Sequence, residues 1–225
     1  MEFFDENNNK VWNESFEVDE QEQAQKYIRP EAIVLELGAR YGTVSCIISK
    51  KLTNSMNLVA VEADKTVWDA LENNMKRNNC NFNIVKGVIS KKKLSVKNTG
   101  YNTKTISNNS SDIPNFSLEE IETKYNLKFD TLVADCEGCV IDFFNENPKL
   151  YNQLKMIMIE HDKNDTIGKS DYDLLTQKFK ENKFIEIENK ENGITRTVWE
   201  KKQNAGKRKK LKTRKQKKNK NKSKK

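Results

Sequence analysis

Several features are scarce in this sequence of 225 residues, and each scarcity excludes a class of protein. Its eight Gly follow no repeat, which excludes a collagen-like chain, and no sustained heptads support a coiled coil. No apolar run approaches the ~18 residues that a membrane-spanning helix needs, so we expect no membrane partner. A positively charged and apolar leader is also missing, so we expect an intracellular protein, cytoplasmic or nuclear, that is not secreted.

Cysteine is too scarce for the disulfide scaffold of a small secreted domain. The four Cys stand at positions 46, 80, 136 and 139, and we expect free thiols in a reducing compartment. Cys136 and Cys139 form a C-x-x-C pattern, which also occurs in redox pairs and in zinc half-sites. No thioredoxin-like pattern surrounds them, so two small buried thiols are the favoured interpretation.

Acidic residues are missing from one end of the chain. Residues 201–225 hold 15 of the 41 Lys and Arg and no acid, so the first 200 residues carry 26 bases against 33 acids, a net charge of −7. This basic tail has too few apolar residues to order itself, and we predict that it is disordered. Three roles stay open: nuclear targeting through 207–210, non-specific binding of nucleic acid or an acidic partner by charge, or a solubilising tail without a partner.

The rest of the chain divides into a polar segment, residues 1–30, with one helix over 19–28, and a domain over residues 31–200. In the domain, short apolar runs alternate with amphipathic patterns, which is typical of an α/β fold with a mainly parallel sheet. The last two of seven predicted strands form an antiparallel pair; the strands are 33–37, 58–61, 82–85, 131–134, 156–159, 184–187 and 194–199. Residues 95–114 are polar and aperiodic, so we predict a loop that is either functional or disordered.

Four of these strands end in a polar or flexible residue: Gly38, Glu62, Asp135 and Glu160. Parallel strands bring such ends to the carboxyl edge of the sheet, where doubly wound folds bind ligands. Every buried strand is followed by polar residues at some point, so a single acid at a strand end is weak support for a binding site. Four in succession favour a binding site at this edge.

A glycine turn follows the first strand. Glu36, Gly38 and Gly42 form the pattern E-x-G-x-x-x-G, which lacks the glycines of the dinucleotide fingerprint and the G-K-[ST] of a phosphate loop. Gly38 allows a tight turn close to a ligand, and Gly42 lets the next helix pack near the sheet. Glu62 can accept hydrogen bonds from both hydroxyls of a ribose. These features suit S-adenosylmethionine, a nucleoside that carries a cationic amino acid; the alternative is a structural turn and a surface Glu.

Residues 34–42 (VLELGARYG) resemble the first motif of class I S-adenosylmethionine-dependent methyltransferases. Four further segments are similar to the FkbM family of that class: 61–64 (VEAD), 117–121 (SLEEI), 135–138 (DCEG) and 159–160 (IE). The resemblance covers about residues 31–188 and implies a Rossmann-like class I methyltransferase fold with a mainly parallel seven-stranded sheet and a C-terminal antiparallel strand. It also implies S-adenosyl-L-methionine as cofactor, bound by Glu36, Gly38, Ala39, Gly42, Glu62 and Val88.

The activity that this resemblance implies is O-methylation of a hydroxyl on a small molecule or glycan. Three positions depart from the family pattern: Val133 and Val140 replace its usual Lys and second Glu, and Ala63 replaces its Pro. Two alternatives stay open, an RNA or DNA methyltransferase that uses the basic tail for affinity, and a non-catalytic binding module that keeps the fold. The Asn/Asp-Pro-Pro-Tyr motif of base-nitrogen methyltransferases is absent from the sequence.

A hydroxyl acceptor needs a base to take its proton. Asp135, Glu137 and His161 are the candidate catalytic residues, and the first two would point the same way if their strand continued. His161 is the single His, and an unperturbed imidazole titrates near neutral pH, although a solvated loop residue fits the sequence equally well. We expect no metal; the alternative is a Mg²⁺ ion that the acids hold through oxygen atoms.

Overall fold

The computed structural model describes residues 1–11, 17–99, 102–107, 113–162 and 169–202. From residue 203 onward, the predicted disordered tail lies outside the described residues, as do parts of the predicted loop over 95–114. No helix in the described ranges combines the length and the apolar character that crossing a bilayer requires.

The described ranges contain seven α-helices and thirteen strands, most of them short. The helices are α1 Val18–Tyr27, α2 Thr43–Lys51, α3 Trp68–Arg77, α4 Leu118–Tyr125, α5 Cys139–Glu146, α6 Leu150–Gln153 and α7 Lys169–Glu181. The strands are β1 Phe3–Phe4, β2 Lys10–Val11, β3 Val34–Leu37, β4 Leu58–Glu62, β5 Asn83–Lys86, β6 Val88–Ile89, β7 Leu94–Thr99, β8 Asn102–Ser107, β9 Asn115–Phe116, β10 Thr131–Ala134, β11 Met156–Glu160, β12 Phe184–Asn192 and β13 Ile194–Lys201.

Seven strands form the central sheet, in the order β12-β13-β11-β10-β3-β4-β5. The five strands from β11 to β5 are mutually parallel, and β13 is antiparallel to both of its neighbours. This confirms the predicted α/β fold with a mainly parallel seven-stranded sheet and a C-terminal antiparallel strand. The chain runs outward from β3 to β5 and then returns to β10, so the strand order reverses between β3 and β10. Doubly wound sheets have their ligand crevice at such a reversal.

Helices cover both faces of the sheet, because successive strand residues point to opposite faces. On one face Leu35 and Val59 belong to a core that includes residues of α4, α5 and α7. On the other face Val34 and Leu58 belong to a core that includes residues of α1, α2 and α3. Burial on both faces explains why the central strands appear in the sequence as apolar runs. Each large aliphatic side chain buried in this way stabilises the fold by about 1.5–3 kcal/mol.

The polar N-terminal segment is joined to the domain by side-chain hydrogen bonds. Phe3 in β1 is fully buried in the core on the α3 side. Asn78 accepts a hydrogen bond from the backbone N–H of Glu2 at 2.8 Å, and Asn74 accepts one from Phe4 at 2.9 Å. The helix predicted over 19–28 is α1, which packs against α2. The N-terminal segment therefore completes one face of the domain.

The predicted loop over 95–114 is wrong for most of its described residues. β7 and β8 form an antiparallel hairpin whose register runs from Leu94 opposite Ser107 to Thr99 opposite Asn102. β9 pairs in parallel with β6. A two-stranded ribbon is held by main-chain hydrogen bonds and does not require an alternating apolar face, so a search for periodicity misses it.

The expectation of free thiols is also wrong. Cys46 in α2 is bonded to Cys80, which precedes β5, and Cys136 is bonded to Cys139 at the start of α5. The first pair is buried, whereas both cysteines of the second pair are partly exposed and not buried as predicted. Cys46 and Cys80 are 34 residues apart and become neighbours only when α2 and the segment before β5 pack together, so spacing alone does not reveal the pairing.

Gly38 marks the place where the ends of β3 and β10 meet. Its φ of +88° lies in the left-handed region that glycine adopts without steric cost. Its backbone N–H donates a hydrogen bond to the carbonyl oxygen of Val61 at 3.0 Å. A Cβ atom at this position would lie 1.7 Å from the carbonyl oxygen of Asp135. The two strand ends are therefore in backbone contact, and only glycine fits between them.

We expect Gly38→Ala to lower the free energy of unfolding by more than ~3 kcal/mol, because a clash with backbone adds to the cost of the positive φ. Gly193→Ala is the matched control. Its φ is +76° and no atom lies within 4 Å of the added Cβ, so it should lose only the conformational cost, about 1–2 kcal/mol. Urea unfolding of both variants measures the difference, and equal losses would contradict the close contact at Gly38.

Candidate functional site

A pocket of about 830 Å³, including the open space at its mouth, lies at the carboxyl edge of the sheet. The lining comes from the turns after β3, β4 and β10, from the segment after β5, and from the residue before α1. The lining residues are Glu17, Leu37, Gly38, Arg40, Val61, Glu62, Ala63, Gly87, Val88, Ile89, Leu94, Asp135, Cys136, Glu137 and Cys139.

Glu62, the last residue of β4, is fixed in the pocket wall by backbone hydrogen bonds. One carboxylate oxygen accepts from the N–H of Arg40 at 2.6 Å, and the other accepts from the N–H of Asp64 at 2.7 Å. Burial raises the pKa of Glu62, against the opposing effect of these two hydrogen bonds. A carboxylate oxygen has two lone pairs, so each oxygen of Glu62 can accept one further hydrogen bond from a ligand.

Three of the six predicted cofactor residues line the pocket, and three lie behind it. The lining residues are Gly38, Glu62 and Val88. The other three, Glu36, Ala39 and Gly42, are buried without contributing to the lining. A Cβ atom on Gly42 would lie 2.8 Å from Leu71 of α3, so this glycine leaves room for α3, whereas the sequence predicted close packing of the following helix on the sheet.

Glu36 is buried on the helix-covered face of β3. Position 36 points to the same face as Val34, where the hydroxyl of Ser45 in α2 donates a hydrogen bond to the Glu36 carboxylate at 2.6 Å. Burial raises the pKa of Glu36 to about 8; the bond from Ser45 opposes this shift and the charge of Glu62 adds to it. The Glu36 side chain is therefore buried against α2 next to the glycine turn and does not line the pocket.

Two of the three predicted catalytic side chains meet at the pocket. Asp135 and Glu137 both line it, in the turn that follows β10. His161 does not line it. Its ring stacks on Tyr172 of α7 with the ring centroids 4.5 Å apart, and its Nε2 atom lies 2.9 Å from the hydroxyl of Thr197. The structure thus places His161 among residues of α7 and β13.

A group of acids continues from Asp135 toward α1 and β13. Glu20, Asp135 and Glu160 bring carboxylate oxygens within 4.8 Å of one another, so these residues could hold a metal ion. Arg196 of β13 pairs with Glu20 and with Glu160, the latter at 2.7 Å. Burial raises the pKa of Asp135 and of Glu160, and the neighbouring acids raise both further. Arg196 supplies one positive charge to this group.

Some lining residues gave no functional signal in the sequence. Glu17 reaches the pocket because α1 packs on α2, and the hydroxyl of Thr43 donates a hydrogen bond to its carboxylate. Burial raises the pKa of Glu17 to about 8. Leu94 lines the pocket from the start of β7, one residue before the region predicted as a loop. For Cys136 and Cys139 a signal did exist, because the C-x-x-C pattern overlaps the acidic turn at Asp135.

Solved structures with the same fold include methyltransferases with different substrates. A ribosomal protein L11 methylase from Lactobacillus delbrueckii subsp. bulgaricus has a TM-score of 0.52 at 14% identity, covering 83% of this chain and 78% of that chain. A precorrin-6y C5,15-methyltransferase from Geobacter metallireducens GS-15 has a TM-score of 0.51 at 10% identity, covering 81% and 87%. A candidate tRNA (m1A22) methyltransferase from Streptococcus pneumoniae, in complex with S-adenosyl-L-methionine, has a TM-score of 0.52 at 11% identity, covering 82% and 73%.

Identities this low show a shared Rossmann-like fold and nothing finer. No protein-family profile and no curated protein matches the sequence. The resemblance to the FkbM family therefore stays a prediction.

The raised pKa of Glu36 predicts a loss of stability as the pH rises. The unfolded side chain titrates near 4.5 and the folded one near 8, so the folded state binds the extra proton between these values. Stability from this group is complete below pH 4.5 and falls by up to about 1.4 kcal/mol per pH unit as the pH rises toward 8. Glu36→Gln should therefore show a shallower fall in melting temperature over this range. The exposed control Glu31→Gln should follow the wild type, and identical pH profiles for Glu36→Gln and wild type would contradict the assignment.

Proposed function

We propose that this protein is an S-adenosylmethionine-dependent methyltransferase of FkbM type that methylates a hydroxyl on a small molecule or sugar. One observation carries the proposal. A single pocket at the reversal of strand order has the glycine turn and Glu62 in one part of its wall, and Asp135 and Glu137 in another. Such a pocket can hold a cofactor and an acceptor side by side.

The described residues suit the cofactor. Gly38 lines the pocket, and Glu62 presents two oxygen atoms that can each accept a hydrogen bond from a hydroxyl. Apolar side chains, among them Val61 and Val88, offer a surface for a planar base. Gly38, Glu62 and Val88 would hold S-adenosylmethionine, which supplies an electrophilic methyl group on a sulfonium. This support comes from the pocket and from the fold that it shares with known methyltransferases.

The acceptor side supports transfer to oxygen. Burial and the surrounding acids raise the pKa of Asp135, and a carboxylate with a higher pKa is a stronger base for the proton of a hydroxyl. In the proposed reaction, the Asp135 carboxylate takes the proton of the acceptor hydroxyl while Glu137 helps to orient the acceptor. Positioning of the acceptor oxygen can account for a large part of the rate enhancement in such a displacement.

The charge of the lining favours a small acceptor over RNA. Four acids line the pocket, namely Glu17, Glu62, Asp135 and Glu137, and Arg40 is the single cationic side chain among the described lining residues. A phosphate that approached this pocket would find few favourable charges. RNA binding through the basic tail stays the second candidate. It would be supported by an affinity for RNA that falls steeply with salt, together with methylated RNA as the product.

We expect Glu62→Gln to weaken binding of S-adenosylmethionine by about 1.5–3 kcal/mol, because one of the two acceptor oxygens becomes a donor. Calorimetric titration of the full chain measures this change, with Glu31→Gln as a surface control and a thermal melt to verify folding. If Glu62→Gln bound the cofactor with wild-type affinity, the ribose assignment would be wrong.

Asp135→Asn tests the acceptor side. The variant keeps the shape of the side chain and removes its basicity, so turnover should fall by more than about tenfold while cofactor affinity changes little. The measurement uses S-adenosylmethionine with a labelled methyl group, incubated with metabolite and glycan extracts and separately with RNA, and mass spectrometry locates the label. Wild-type turnover in Asp135→Asn would exclude the base role. Label found only in RNA would favour the second candidate.

A further inference from the structure

The two disulfides of this protein differ in their access to solvent. Cys46 is fully buried and Cys80 is 7% exposed, and neither belongs to the pocket. Cys136 and Cys139 are both partly exposed, and both line the pocket. Thiol–disulfide exchange requires a thiolate to reach a sulfur atom, so access decides which bond reacts. An incoming thiol can reach the second pair through the pocket.

The Cys136–Cys139 bond closes a turn that links β10 to α5. Inside it, Glu137 has a φ of +53° and Gly138 a φ of +90°, two consecutive left-handed residues. The N–H of Cys139 donates to the carbonyl of Cys136 at 3.1 Å, and the N–H of Gly138 donates to the Asp162 carboxylate at 3.2 Å. A left-handed Glu costs free energy, so the turn depends on such constraints, and the disulfide is the covalent one.

This turn is in contact with the glycine turn on the other side of the strand reversal. A Cβ built on Gly38 would lie 1.7 Å from the carbonyl oxygen of Asp135 and 3.4 Å from the Cα of Cys136. The N–H of Asp135 donates to the carbonyl of Leu37 at 3.1 Å. A change in the backbone of the C-x-x-C turn therefore acts directly on Gly38 and on the position of Asp135.

We propose that the Cys136–Cys139 pair is a thiol–disulfide exchange site for small thiols that enter the pocket, and that its redox state sets the affinity of the pocket for the cofactor. The exchange itself does not depend on methyl transfer. The effect on affinity rests on the proposed function.

The chemistry is a two-electron exchange with a thiol reductant. A thiolate attacks the sulfur of Cys136, a mixed disulfide forms, and Cys139 leaves as a thiolate at the positive end of the α5 dipole. A second thiolate then attacks the reagent's sulfur in the mixed disulfide. The reagent leaves as its own disulfide, and Cys136 leaves as a thiolate that takes a proton from water. The protein gains two electrons, and two molecules of thiol are oxidised to one disulfide.

The first test follows each pair separately in the folded, full-length chain. The protein is equilibrated with oxidised glutathione and then exposed to reduced glutathione for increasing times. Free thiols are alkylated with one mass tag, and after denaturation and full reduction the remaining thiols receive a second tag. Peptide mass spectrometry should show Cys136 and Cys139 reduced at least about tenfold faster than Cys46 and Cys80. Equal rates, a faster Cys46–Cys80 pair, or a Cys136–Cys139 pair that does not form with oxidised glutathione would overturn the proposal.

The second test measures affinity for S-adenosylmethionine by calorimetry before and after reduction of the exposed pair alone. Reduction should weaken binding by about threefold or more, because the turn behind Gly38 loses its covalent constraint. The double variant Cys136→Ser/Cys139→Ser should have the weaker affinity and show no response to glutathione. Unchanged affinity on reduction would overturn the regulatory part.

The two tests separate the possible failures. If no redox form bound S-adenosylmethionine, the proposed function would fail, while the mass-tag result would still decide the exchange site.

Discussion

The site depends on one close backbone contact, between Gly38 at the end of β3 and the carbonyl of Asp135 after β10. The two strands are adjacent and parallel, so their ends emerge side by side where the strand order reverses. Side chains of any size on the first turn would push the second turn away. Because glycine keeps them together, the turns after β3 and β10 line one pocket.

Burial of acids is the second constraint on this edge of the sheet. Glu36, Glu62 and Glu160 all project toward the face that α1, α2 and α3 cover, as the strand register requires. Each has a raised pKa because burial penalises its charged form. The fold tolerates them through specific partners: Ser45 for Glu36, backbone N–H groups for Glu62, and Arg196 for Glu160. The protein thus keeps several proton-binding groups beside its pocket.

Local sequence was enough to predict the sheet and the edge of the sheet at which the pocket lies. Apolar runs that end in Gly38, Glu62 and Asp135 locate three parallel strand ends, and parallel strands necessarily bring those ends to one edge. Local sequence was not enough to predict features that depend on contacts between distant segments of the chain. Glu17 lines the pocket only because α1 packs on α2. Cys46 comes within bonding distance of Cys80 only when α2 packs against the segment before β5. The β7–β8 hairpin was not predicted, because main-chain hydrogen bonds hold its strands together and require no periodic apolar pattern.

The pairing of Glu20 with Arg196 joins residues that are 176 positions apart. During synthesis, the five parallel strands of the sheet emerge from the ribosome before β13 does. Until then Glu20, Asp135 and Glu160 have no arginine among them, and packing α1 against the sheet would bury acids without a counter-ion, which is costly. Arg196 supplies that counter-ion when β13 joins the sheet. The N-terminal helix and the last strand of the sheet thus stabilise each other across the acid group beside the pocket.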